Sequence, residues 1–131
     1  MNQRIGEVCF LVRDYDEAIE FYVGKLGFIL IEDTILSETK RWVLVAPSDF
    51  SQCCLLLAKA VSPEQLNRIG EQSAGRVFLF LYTDNFERDY KLLTDKCISI
   101  VREPVTESYG RVAVFSDLYG NLWDLIEPAQ N

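Results

Sequence analysis

Apolar and polar positions change rhythm in the same order twice along this chain of 131 residues. Ile5 to Val12 is an apolar run with Glu7 inside it, which reads as a strand. Asp14 and Asp16 then suit a helix start, where carboxylates cap free N–H groups and oppose the helix dipole. Ala18, Ile19, Tyr22 and Leu26 follow at helical spacing, and Gly27 is placed to end the helix. Phe28 to Leu36, Arg41 to Ala46 and Gln52 to Ala60 read as three further strands. The second of these stops at Pro47, and Leu55, Leu56 and Leu57 suggest that the third is covered on both faces. Residues 61–75 break the rhythm with Pro63, Gly70 and Gly75. This stretch reads as a linker, with a short helical turn at Pro63-Glu64-Gln65-Leu66, and its length and polarity also suit a lid or a dimer-contact loop.

After residue 75 the order returns. Val77 to Tyr82 is a strand of large apolar residues, and Asp84 is expected to open a helix with Phe86, Tyr90 and Leu93 on one face. Ile98 to Val101 is a short strand, expected to end before Pro104. Arg111 to Phe115 alternates, Asp117-Leu118-Tyr119-Gly120-Asn121 is a turn, and Leu122 to Ile126 is a closing strand. The two halves also match in detail. Val12-Arg13-Asp14-Tyr15-Asp16-Glu17-Ala18 parallels Leu81-Tyr82-Thr83-Asp84-Asn85-Phe86-Glu87, and the exits Leu26-Gly27-Phe28 and Lys96-Cys97-Ile98 stand 70 positions apart. The expected architecture is α+β: one domain over 1–131, holding tandem βαβββ units at 5–60 and 76–128. Each unit would have a curved mixed sheet with a helix on one face. Side by side they would enclose a central trough, the kind of concavity in which small ligands bind.

Composition narrows the chemistry. Asp and Glu number 20 against 13 Lys and Arg, a net charge of −7. Such a surface repels phosphate backbones, so a nucleic-acid partner is not expected. The same charge would attract a cationic ligand, or serve solubility alone. No apolar run approaches the ~20 residues of a membrane helix, and Met1-Asn2-Gln3-Arg4 has no signal-peptide pattern. Cys9, Cys53, Cys54 and Cys97 form no Cys-x-x-Cys pair, which fits reduced, mostly buried thiols in the cytoplasm. The chain has no histidine, so a cysteine nucleophile would lack its usual base.

Three segments carry a resemblance to the vicinal oxygen chelate superfamily, which includes glyoxalase I, bleomycin-resistance proteins and extradiol dioxygenases. Val12-Arg13-Asp14 with Ala18 and Phe21-Tyr22 resembles the first helix of that group, and Lys25-Leu26-Gly27-Phe28 its helix exit. Asp117-Leu118-Tyr119-Gly120-Asn121-Leu122-Trp123-Asp124-Leu125 is similar to its closing hairpin. The resemblance spans Ile5 to Pro128. It implies four metal-ligand positions on equivalent strands: Glu7, then Leu55 or Leu56, then Phe78 (or Val77 if the register slips), then Asp124. Two of these are apolar and none is His, so no metal cofactor is expected. A weakly held Mg²⁺ or Mn²⁺ on Glu7 and Asp124 is the alternative. A dioxygenase centre of two His and a carboxylate is excluded, and metal-dependent glyoxalase isomerisation is disfavoured.

The trough is expected to be aromatic, with Trp42, Phe78, Phe80, Tyr109 and Trp123 on its walls. The alternative is that these rings fill the core. Phe78 and Phe80 should share a face because they lie two apart in a strand. Arg111 would hold an acidic group of a ligand, or face solvent. Glu7 and Asp124 would point into the trough and meet a cation, or lie at strand ends paired with Arg76 or Arg111. The expected function is metal-independent binding of the bleomycin-resistance type, sequestering a cationic or aromatic small molecule. A glyoxalase-type lyase or isomerase with a weak divalent cation is the second reading, and a scaffold without a small ligand the third. The resemblance also implies a homodimer.

Overall fold

A computed structural model describes residues 2–49, 51 and 53–130. Its contacts divide into two units, with the boundary between Ile69 and Gly70, inside the 61–75 stretch. The fold is α+β, and each unit has one four-stranded mixed sheet.

In the first unit, β1 (Glu7–Val12) is followed by α1 (Tyr15–Ile19), β2 (Ile29–Ile35), β3 (Arg41–Ala46) and β4 (Cys54–Lys59). The sheet order is β1-β4-β3-β2, with β1 parallel to β4 and the other pairs antiparallel. Gln52, at the expected start of the fourth strand, lies outside the described residues. Asp14 caps α1 by accepting from the Glu17 amide at 2.8 Å. The helix then widens into a π-helical segment, Glu20–Lys25, in which the Leu26 amide reaches the Phe21 carbonyl five residues back at 2.8 Å. The helical face seals one side of the sheet. Phe10, Val12, Ala18, Tyr22, Val43, Val45 and Leu57 have no exposed surface, and Phe10 and Tyr22 meet edge to face at 5.5 Å. A short helix, α2 (Pro63–Arg68), packs against β1 behind a capping box between Ser62 and Gln65.

In the second unit, β5 (Val77–Tyr82) leads to α3 (Phe86–Asp95), β6 (Ser99–Glu107), β7 (Gly110–Ser116) and β8 (Leu122–Pro128), in the order β5-β8-β7-β6. The cap of α3 is Asn85, one residue later than Asp84, and its side chain accepts from the Arg88 amide at 3.1 Å. Glu127 from β8 takes the Phe86 amide at 2.7 Å, so two orphan donors of the first turn are satisfied from different elements. Strand β6 does not stop at Pro104. It is the edge strand, and its register against β7 shifts between Arg102 and Val105, so an irregular edge carries the proline where no ladder N–H is required.

The helices leave by the same conformation. Gly27 and Cys97 both adopt positive φ, at 84° and 57°. From cap to exit the first helix takes thirteen steps, Asp14 to Gly27, and the second takes twelve, Asn85 to Cys97. The π-helical turn accommodates the extra residue.

Candidate functional site

Strand register decides which side chains share a face. In the first sheet Glu7 pairs with Cys54, Cys9 with Leu56 and Leu11 with Ala58, while Leu44 of β3 pairs with Leu56. Alternation therefore places Glu7, Cys9, Leu11, Trp42 and Leu56 on the face opposite the helix, and sends Leu55 to the helix side, where it is buried. Of the two alternatives for the second family position, Leu56 is the one that shares a face with Glu7.

A cleft of about 450 Å³ opens on this face. Its apolar lining includes Cys9, Leu11, Trp42, Leu56 and Ala58, and Tyr15, Gln65, Lys40, Arg41 and Lys59 also border it. Arg41 is already committed. It makes a two-pronged contact with Asp33 at 3.1 and 2.7 Å, a third bond to Asp16 at 2.9 Å, and stacks 5.2 Å from the Tyr15 ring centre. The Asp33 and Asp16 bonds hold its guanidinium charged well beyond the usual range. Lys40 and Lys59 are exposed and join no ion pair among the described residues.

In the second sheet Phe80 pairs with Asp124, which pairs with Val114, which pairs with Arg102. These four share the face away from α3, and Phe80 is 55% exposed there. Burial pushes the Asp124 carboxyl above its ordinary pKa, and the charge of Arg102 across β7 opposes that shift. Two expected wall residues, Trp123 and Tyr109, and the expected ligand-holding Arg111 lie elsewhere. Trp123 is on the helix side, 4% exposed and stacked on Phe115 at 5.9 Å, because its neighbour Asp124 takes the open face. Arg111 is on the helix side as well, 4.7 Å over the Phe86 ring and paired with Glu87 at 3.7 Å. Tyr109 belongs to the turn between β6 and β7 and is exposed. Phe78 sits where the β5–β8 register shifts, between Val77 and Leu79, so counting by twos from Phe78 to Phe80 crosses an irregularity.

The donor set does not fit the family's metal. On the first sheet Glu7 shares its face with Leu56, and on the second the position expected to accompany Asp124 is Phe78 or Val77. Each sheet thus offers one carboxylate beside a side chain with no lone pair. Among the described residues no three His, Cys, Asp or Glu side chains gather as a ligand group.

The sequence reading missed Cys9, Leu11, Lys40, Lys59 and Gln65 as cleft residues. Cys9 and Leu11 were within reach of a period-two count from Glu7. Lys40 and Lys59 had no signal, since they enter the cleft only through the pairing of β3 with β4.

The sequence matches the family model for the glyoxalase/bleomycin resistance protein/dioxygenase superfamily over residues 4–125. It is 56% identical over 128 residues to an uncharacterised protein of Shewanella frigidimarina, covering 97% of this chain and 95% of that one. Among solved structures, UcmS2 is similar with a TM-score of 0.82 and 30% identity, over 96% of this chain and 98% of that one. TnmS3, an antibiotic binding protein from Streptomyces sp. CB03234, is similar with a TM-score of 0.80 and 28% identity, over 98% of both chains. The fold, the register and these likenesses together place the chain in the glyoxalase/bleomycin resistance protein/dioxygenase superfamily.

Proposed function

We propose that this protein binds and sequesters a small aromatic molecule without a metal, holding it on the open face of the first sheet against Trp42. The observation that carries this is the cleft itself: about 450 Å³, floored by apolar side chains, among them Leu56 at one of the positions where a chelating relative needs a donor. The likeness to TnmS3, an antibiotic binding protein, supports a binding role. We further propose that the protein works in the cytoplasm as a homodimer. Its four cysteines are thiols, which supports a reducing compartment, although Cys9, Cys53 and Cys97 are exposed and Cys54 half-buried, against the expectation of mostly buried thiols. The edge strand β2 exposes Ile29, Leu30, Ile31 and Ile35, which supports association.

Calorimetric titration of chelator-treated protein with three naphthalene probes tests the binding role: 2-naphthoate, its methyl ester and 2-naphthylmethylammonium. Saturable binding of at least one, unchanged by added Mg²⁺ or Mn²⁺, is expected. Failure of all three to bind, or binding only with a divalent ion, overturns the reading.

A further inference from the structure

We propose that the cleft selects an aromatic ligand bearing an acidic group, with Lys40 and Lys59 receiving the anion while Trp42 and Leu56 hold the ring. This rests on the cleft being a ligand site and adds the sign of the ligand's charge. The chain as a whole is acidic, at −7, and that balance on its own points to cationic ligands. The cleft has the opposite sign. Among the described residues its lining includes Lys40, Arg41 and Lys59 and no carboxylate. Asp16 and Asp33 together more than neutralise Arg41, whereas neither lysine is in an ion pair among the described residues, so any anion recognition falls to the lysines. A neighbouring hollow is lined by the same Lys40, Arg41 and Lys59 but also by Asp14 and Glu38, so the two ammonium-bearing residues border both spaces and the carboxylates border only the second.

Chemistry and placement agree. Lys40 immediately precedes β3 and Lys59 ends β4, so neighbouring strands bring the two to one end of the sheet; the register directs Lys59, opposite Val12, to the helix side, and it borders the cleft at the sheet's end. Trp42 stands two residues beyond Lys40, on the face that carries Leu56. A planar ring on that face would leave a carboxylate or sulfonate at the lysine end. Gln65 at the border gives an amide beside the same site, although its carbonyl is already used by the Val61 and Ser62 amides.

The same three naphthalene probes separate this from the binding role, since they share a ring and differ only in charge. 2-Naphthoate is expected to bind about tenfold tighter than 2-naphthylmethylammonium at low salt, with the methyl ester between them. In the Lys40→Gln/Lys59→Gln variant the naphthoate-over-ammonium preference is expected to fall to about twofold or less. Equal or tighter binding of the ammonium probe overturns the inference and leaves the binding role standing. So does an unaltered naphthoate preference in the double variant. Absence of binding by any probe removes both.

Discussion

Gly27 and Cys97 turn the chain in the same left-handed conformation, seventy residues apart, at the exits of two equivalent helices. A Cβ at Gly27 would meet nothing within 4 Å, so a substitution there is felt by the backbone alone. Gly27→Ala is expected to cost about 1 kcal/mol, read as a loss of roughly 4 °C in Tm. Cys97 already bears that strain. Cys97→Gly relieves it but frees the unfolded chain, and is expected to change stability by less than about 1 kcal/mol, in the stabilising direction. Denaturant titration of both variants checks the contrast.

The two tryptophans occupy different surroundings. Trp42 lines the cleft and Trp123 is stacked in the core on Phe115. Acrylamide is expected to quench the emission of Trp123→Phe efficiently and that of Trp42→Phe weakly. Trp42→Ala is expected to weaken binding of 2-naphthoate about fivefold to twentyfold by removing its stacking partner.

Glu127 caps a helix from another strand. Glu127→Ala leaves the Phe86 amide without its 2.7 Å partner, and the predicted loss is about 1–2 kcal/mol by thermal or urea denaturation. Glu127→Gln keeps an acceptor oxygen and is expected to retain more than half of that contribution.

Asp124 gives a pH dependence whose sign follows from burial. Its folded pKa is raised, so the folded state binds the proton more tightly than the unfolded state does. Its contribution is therefore most favourable below the ordinary value of 3.8 and is lost as pH rises through the raised folded pKa. Asp124→Asn is expected to melt above the parent at pH 7 and to converge with it near pH 3. A parent that melts higher than the variant at pH 7 contradicts the burial argument.

Association is measurable without any ligand. Light scattering is expected to give twice the 15.1 kDa chain mass, and Ile31→Glu, on exposed β2, is expected to shift the protein toward the monomer.

Much of the fold was legible because its elements announce themselves locally. The strands at Arg41–Ala46 and Val77–Tyr82 fall where the apolar runs lie, and the positive φ of Gly27 follows from its place after the last helical apolar residue. Side-chain direction was harder to read. In β7, Arg111, Ala113 and Phe115 alternate with Val112 and Val114, and both sets contain buried residues, so alternation alone does not say which set faces α3. That depends on Phe86 reaching Arg111, and Trp123 follows from the same pairing. Pro104 misled for a related reason: a proline stops a central strand, and only the sheet order shows that β6 lies at the edge. Glu7 and Leu56 came together through a parallel pairing of distant segments, which no local pattern encodes.

The wide turn at Glu20–Lys25 has a consequence for how tandem copies drift apart. An added residue in a strand would reverse every side chain beyond it and exchange the two faces of the sheet. In the first helix the extra residue is taken up by one enlarged ring of hydrogen bonds, and the chain still leaves through a left-handed residue, as it does in the other copy. The helix thus serves as the slack in each unit, a place where length can change while the strands on either side keep their alignment. Copies with such slack can lengthen or shorten independently, and the surface that recognises a ligand can specialise in one while the other keeps its frame.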